Sequence, residues 1–391
     1  MEQRPKYVLP IIVYSQFAGT SLWFAGNAVL QDLIIAKNLP ENVLADITTS
    51  VQAGFIIGTL IFAITSISDR LSPAKIFLFC ASSGAMINLL LYYWPGGVHS
   101  VLVFRFFTGV ALAGIYPVGM KIAADWYDQG LGKALGYLVG ALVIGTAFPH
   151  WLNSLDTKLH WGLTLHIVSI VALSGGLLVF IFLKDGPYRK KLSQFDPLAI
   201  ISLFKIKDFR ASVLGYFGHM WELYTFWAFT PVILQFYFDL HESSRNVPFW
   251  TFITIATGGV GCVAGGFLSQ KYGNAKVAFV NLMISGICIL IFPWMIKFPL
   301  PLFVAYMLLW GWTVVGDSPQ FSSLSARTAI KELVGSGLTI MNSIGFAITI
   351  ISIYLFKVVM HTFDIKMAIW LLFIGPLMGL MAISRLIRQK I

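Results

Sequence analysis

An all-α membrane protein is predicted for this 391-residue chain: twelve transmembrane helices forming two six-helix bundles related by a pseudo-twofold axis. Composition is the first of three observations behind that prediction. Hydrophobic residues make up 57% and charged residues 11%, with a mean hydropathy of +0.79. A water-soluble domain carries about 25% charged residues, so these charges are too few to cover a wetted surface. The second observation is the absence of the period-two alternation that a membrane β-barrel requires, which leaves helices as the only way to satisfy backbone groups in hydrocarbon. The third is a duplicated loop. Ser68-Asp69-Arg70-Leu71-Ser72-Pro73-Ala74-Lys75 is matched 201 residues later by Ser269-Gln270-Lys271-Tyr272-Gly273-Asn274-Ala275-Lys276.

Apolar runs long enough to cross a bilayer, about 20 residues each, fall at approximately 8–34, 46–67, 74–93, 98–126, 132–153 and 161–184. Six more fall at 212–237, 247–270, 275–295, 300–326, 334–360 and 365–387. Each copy of the loop follows the second run of its half and precedes the third. Pro117 and Pro319 extend the repeat at an offset of 202, and Gly132 and Gly335 at 203. Residues 1–184 and 212–391 are therefore expected to be the two bundles. The segment 185–211, with Pro187 and Pro197, is the expected cytoplasmic linker.

The net charge of +10 does not point to nucleic acid. Lysine and arginine gather on one side of the predicted spans, which sets orientation by the positive-inside rule; both termini are expected to be cytoplasmic, and the membrane is expected to be a bacterial inner membrane. The largest basic block, from Lys184 through Arg189, Lys190, Lys191, Lys205 and Lys207 to Arg210, reads as an anchor beside anionic headgroups. The first apolar run is too long for a cleavable signal, so it is expected to remain as an anchor. Cys80, Cys262 and Cys288 stand at unrelated spacings inside apolar runs and suggest neither disulfide nor metal site. Metalloprotease, redox, hydrolase and phosphate-loop motifs are absent, and the glycines from Gly258 to Gly266 read as helix-packing positions. No enzyme and no cofactor is expected.

The architecture and loop motifs resemble the major facilitator superfamily over essentially the whole chain. That family's signature between spans 2 and 3 is G-x-x-x-D-R/K-x-G-R/K-R/K. Asp69, Arg70 and Lys75 match it in the first copy, with Thr65 and Ser72 where glycines are usual. Gly266, Lys271, Gly273 and Lys276 match it in the second, with Gln270 replacing the acid. The resemblance implies a gating role for Asp69 and Arg70, and by extension for Lys271 and Lys276; a basic cytoplasmic turn is the plainer alternative. Arg105-Phe106-Phe107-Thr108-Gly109 is similar to the family's R-x-x-x-G element in span 4, whose arginine is implicated in proton coupling. The family's antiporter ending G-P-x-x-G-G is missing from span 5, which here carries Gly136, Gly140, Gly145 and Pro149.

Ionisable residues inside spans cost a few kcal/mol and normally face a cavity or a partner. Arg105 and Asp32 lie at comparable depth in spans 4 and 1, so they are expected to pair as an external gate, or else as a static structural pair. In span 7, His219 and Glu222 are three residues apart and share a face. A histidine beside a buried carboxylate can exchange protons near neutral pH, which makes the two a coupling candidate rather than only a packing lock. Trp221 and Tyr224 beside them are candidate pocket walls. In span 10, Asp317 and Gln320 flank Pro319 and are candidate solute or ion contacts, with Tyr116 at the matching kink of span 4. Lys121 is expected to pair with Asp125, four residues on. Together these point to a secondary active transporter that moves a small solute by alternating access with proton symport. The residues themselves give no charge preference; a resemblance in span 4 to organic-anion and nitrate-type members implies an organic or inorganic anion. A proton-driven multidrug exporter and a non-transporting sensor are the alternatives. The expected partners are the solute, protons and the lipid bilayer, and the expected state is a monomer.

Overall fold

The computed structural model describes residues 5–127, 131–155, 161–189 and 196–388. These residues form helices, turns and connecting segments, with no strand among them. They divide into two compact units, Met1–Phe195 and Asp196–Ile391. In the first, span 1 is three helices, α1 (Val8–Thr20), α2 (Ala25–Ala28) and α3 (Leu30–Lys37). Next come α4 (Leu44–Thr65), the short α5 (Ile67–Arg70), α6 (Pro73–Tyr93), α7 (Val98–Ala113), α8 (Tyr116–Trp126), α9 (Leu131–Ser154) and α10 (Gly162–Phe182). The second unit opens with α11 (Ala199–Lys205), α12 (Lys207–Leu240), α13 (Val247–Tyr272) and α14 (Asn274–Met295). It continues with α15 (Leu300–Gly316), α16 (Ser318–Thr328), α17 (Val334–Thr362), α18 (Ile365–Leu372) and α19 (Ile374–Arg388).

Ten helices among the described residues are long and apolar enough to cross a membrane. The remaining two crossings depart from that criterion for physical reasons. Span 1 is broken by the turn Ser21–Phe24, which leaves Val8–Thr20 as a shorter apolar helix. Span 7 is α12, 34 residues long and so about 51 Å in length; its polar residues, His219 and Glu222 among them, dilute its hydropathy. Boundaries follow local chemistry. Ser66 adopts a left-handed φ of 49° to end α4, Pro73 opens α6 at a position where a missing N–H costs nothing, and Gly273 at φ 85° separates α13 from α14.

Spans 4 and 10 are both broken, at Gly114–Ile115 and at Asp317, each followed by a proline in the first turn of the next helix. Proline alone does not cause the break, because Pro231 lies inside the continuous α12 and Pro293 inside α14. Both broken sites read Gly-x-x-Pro: Gly114 with Pro117, and Gly316 with Pro319. The proline removes a hydrogen bond there, and the glycine is not essential, since span 12 breaks at Phe373, three residues before Pro376.

The internal repeat extends to atomic contacts. A Cβ placed on Gly109 of α7 would lie 2.1 Å from the Val51 carbonyl of α4, and one on Gly311 of α15 would lie 2.0 Å from the Thr254 carbonyl of α13. Gly109 and Gly311 are 202 residues apart, as are the two prolines. Only glycine lets these backbones meet, which is the packing mode expected where lipid supplies no hydrophobic drive. Gly311→Ala is expected to lower the thermal unfolding midpoint in detergent, by an amount equivalent to about 1–3 kcal/mol of overpacking. Gly266→Ala, where a Cβ meets nothing within 4 Å, should leave the midpoint unchanged.

Candidate functional site

The second unit buries three titratable side chains in its core. His219 and Glu222 project from α12, and Asp317 sits at the break between α15 and α16; all three are at most 1% exposed. His219 Nδ1 lies 2.8 Å from Asp317 Oδ1. His219 Nε2 and Asp317 Oδ2 have no hydrogen-bond partner. Glu222 is bound on both oxygens: Trp310 Nε1 of α15 donates to Oε1 at 2.7 Å, and Ser285 Oγ of α14 donates to Oε2 at 3.0 Å. Trp310 is held in turn against Phe226, with ring centroids 4.4 Å apart. Gln320, 2% exposed, donates from Nε2 to the Gly316 carbonyl at 3.3 Å across the same break.

This arrangement differs from the expected His219–Glu222 exchange pair. The histidine's contact is Asp317, brought to it by the broken span 10, while Glu222 is fixed by two neutral donors. Trp221 is also differently placed. It is half-buried and its indole donates to the Leu371 carbonyl of α18 at 3.1 Å, so it ties helices together rather than flooring a pocket. Tyr224 is buried, with its ring 5.1 Å from both Trp227 and Phe346.

In the first unit Arg105 is fully buried on α7. It does not pair with Asp32, which is exposed on α3. Its guanidinium instead donates to the carbonyls of Leu22, at 3.1 Å, and Trp23. Those carbonyls are freed by the break in span 1, so the cation caps a helix end. Gly26 packs directly beneath it; a Cβ there would lie 3.2 Å from Nε, which itself has no partner. Gln16 on α1 and Gln52 on α4 are both fully buried, and neither amide has a hydrogen-bond partner on its oxygen or nitrogen. Asn27 Nδ2 donates to Thr48 Oγ1 at 2.7 Å, one turn from Gln52, while its own Oδ1 has no partner. Tyr116 is half-buried at the break of span 4, its ring 6.4 Å from that of Phe55.

The first loop copy forms a charged knot. Lys121 of α8 bridges Asp69, not Asp125, because α5 carries Asp69 to the end of α8. Arg189 bridges Asp185 and donates to the carbonyls of Asp69, at 2.9 Å, and Leu71, at 2.8 Å. Arg70 is exposed. The second copy has no equivalent salt bridge among the described residues. Asn274 Nδ2 donates to Ser323 Oγ at 2.8 Å, and Lys271 and Lys276 are exposed. Lys190 and Lys191 of the basic block lie outside the described residues.

Comparison with known proteins settles the family. The sequence profile described as Major Facilitator Superfamily matches residues 11–353. The chain belongs to the Major Facilitator Superfamily. It is 25% identical over 194 residues to the uncharacterized MFS-type transporter YybF of Bacillus subtilis strain 168, covering 48% of this chain and 47% of that protein. It is 22% identical over 167 residues to the uncharacterized MFS-type transporter MJ1560 of Methanocaldococcus jannaschii, covering 41% and 43%. The matches thus span about half the length of these curated relatives. Among solved structures, the human organic anion transporter MFSD10 (TETRAN) superposes with a TM-score of 0.73 at 15% identity, over 97% of this chain and 100% of that one. A point mutant of the nucleoside transporter NupG gives 0.71 at 14% identity, over 96% and 99%. A bacterial homolog of the human lysosomal transporter Spinster gives 0.68 at 14%, over 99% and 98%. At these identities the likeness is one of fold. This superfamily member therefore has the twelve-helix, two-domain architecture, and its family is one of transporters rather than enzymes.

Proposed function

We propose that this superfamily member is a secondary active transporter that couples movement of a small anionic solute to protons by alternating access. The observation that carries the reading is the Asp317–His219 contact, buried in the second unit with one unpartnered polar atom on each side chain. A buried polar atom without a partner costs about 1–3 kcal/mol, and a site that tolerates two such atoms is poised to take up a proton or a ligand group. Glu222, one helical turn along α12, is the second carboxylate able to carry a proton. In the first unit Arg105 supplies a fixed positive charge, and Gln16, Gln52 and Asn27 supply open amide donors and acceptors. A solute with an acidic group and neighbouring hydroxyl or carbonyl groups matches that set. Asp69 with Lys121, and Arg70 at the exposed corner of the same turn, are the proposed gate elements of the first unit. Asp32 is left without a role in this conformation, and the unit of function is taken as the monomer.

The reading is tested in proteoliposomes that enclose a pH-sensitive dye, presented with a panel of small organic and inorganic anions and, separately, lipophilic cations. The expected result is solute-dependent proton movement with at least one anion and none in protein-free vesicles. Proton movement only with lipophilic cations would overturn the anion assignment in favour of an exporter. Labelled-anion accumulation indifferent to the pH gradient would overturn the coupling, and no response to any solute would favour the sensor.

A further inference from the structure

The second unit contains a cavity of about 500 Å3 between α13, α14 and α15, separate from the buried Glu222 and Asp317 carboxylates. Two rows of side chains run along it. On α13 the row is Thr257, Gly261, Gly265 and Leu268, at successive steps of four, four and three residues; on α14 it includes Val280 and Ile284, four apart. Such steps keep side chains on one helical face. The cavity opens sideways. Leu268 is 47% exposed and Val280 46% exposed, in helices long enough to span the bilayer, so the medium at the opening is hydrocarbon. Its donors are largely satisfied within their own helices: the Thr257 hydroxyl donates to the Thr254 carbonyl at 2.7 Å, the Thr313 hydroxyl to the Leu309 carbonyl at 2.9 Å and Asn281 Nδ2 to the Val277 carbonyl at 2.9 Å. A cavity of that kind offers water too few partners and accepts apolar atoms.

Both rows continue to a lysine at the same end. Lys276 precedes Val280 by four residues on the α14 face, and Lys271 follows Leu268 by three on the α13 face. Both lysines are exposed. One helical turn along the axis is about 5–6 Å, so the two ammonium groups sit one turn beyond the cavity's end, at headgroup depth. Helices α13, α14 and α15 themselves contain neither aspartate nor glutamate.

From this alignment of two lysines over a lipid-facing cavity we infer that the second unit binds an anionic phospholipid, its phosphate at Lys271 and Lys276 and one acyl chain in the cavity. Positive charge attracts the headgroup and the apolar cavity fixes the tail, which a free phosphate or a zwitterionic lipid satisfies only in part. The turn that breaks span 10 lies behind this lining: Asn281, which lines the cavity, has its side-chain oxygen 2.7 Å from where a Cβ on Gly316 would lie. A bound chain therefore packs against Asn281, which in turn packs against the backbone that positions Asp317.

The test uses quenching of Trp312, which lines the cavity, in the full-length protein in mild detergent. Phosphatidylglycerol and phosphatidylcholine with brominated acyl chains are titrated separately. Brominated phosphatidylglycerol should quench at a lower lipid fraction than brominated phosphatidylcholine, and that component should vanish in Trp312→Phe. Lys271→Gln and Lys276→Gln, both at exposed positions, should each raise the phosphatidylglycerol requirement about fivefold, as expected for about 1 kcal/mol per surface lysine. Unbrominated phosphatidylglycerol should compete and inorganic phosphate should not. An equal lipid requirement for the two lipids in the Trp312-dependent component, a phosphatidylglycerol preference that survives Trp312→Phe, indifference to both lysine substitutions, or displacement by inorganic phosphate would each overturn the assignment. Elution and thermal unfolding of each variant establish that it is folded.

Discussion

Asp317→Asn should abolish accumulation of solute against its gradient while leaving solute-for-solute exchange intact. In proteoliposomes with an imposed pH difference, the inside-to-outside ratio of a solute that the wild-type protein accumulates should fall to unity; with labelled solute on one side and unlabelled on the other, exchange should continue. Exchange needs only the conformational cycle of the loaded carrier, whereas accumulation needs a group that is charged in one part of the cycle and neutral in another. Asparagine matches the carboxylate in size and keeps an oxygen toward His219 Nδ1, 2.8 Å away in the wild type, but cannot carry the proton. Glu222→Gln provides the comparison. Its amide can still accept from Trp310 Nε1 and pair with the Ser285 hydroxyl, so packing survives and only titration is lost. Glu222→Ala instead strands the Trp310 donor in an apolar core, at about 1–3 kcal/mol, and should unfold at lower temperature; Ser285 Oγ keeps the Leu282 carbonyl at 3.1 Å. If Asp317→Asn and Glu222→Gln both keep full gradient-driven accumulation, neither carboxylate carries the coupled proton.

Much of the framework is legible in the sequence because it is written in local chemistry. Ten of the apolar runs become helices long enough to cross a membrane among the described residues, and the paired prolines each follow a helix break, at Gly114 and at Asp317, whereas Pro231 and Pro293 lie inside continuous helices. What escapes a sequence reading depends on contacts between distant segments. Ser285 and Trp310, which hold Glu222, lie 63 and 88 residues from it, and each looks like an ordinary apolar-helix residue by itself. The break at Ser21–Phe24 contains neither proline nor glycine. Without it, Arg105 lacks an evident partner, and a carboxylate such as Asp32 is the natural assignment. Helical spacing alone assigns Lys121 to Asp125, whereas the short α5 carries Asp69 into reach instead. Gln16 and Gln52 leave a weak signal: uncharged amides within apolar helices, which cost too much to bury idly.

Substitutions at Arg105 test whether this buried cation recognises solute or only holds a helix end. Arg105→Ala removes the donor to two buried carbonyls, Leu22 and Trp23. Each orphaned carbonyl costs about 1–3 kcal/mol, so the variant should lose several degrees of thermal stability in detergent together with transport. Arg105→Lys separates the two roles. Lysine donates through a single nitrogen and cannot span both carbonyls as the planar guanidinium does, yet it keeps the charge and one cap. Stability should recover in part. If the guanidinium also reads the solute, transport should stay low and the apparent affinity for solute should weaken more than the maximal rate; if it is only a cap, rate and stability should recover together. Gly26→Ala gives an independent check, because the added Cβ would press within 3.2 Å of Nε without altering any charge. Displacing the guanidinium this way should weaken solute affinity in the same direction as Arg105→Lys. Unchanged affinity in both variants would remove Arg105 from solute recognition and leave it as the clamp on span 1.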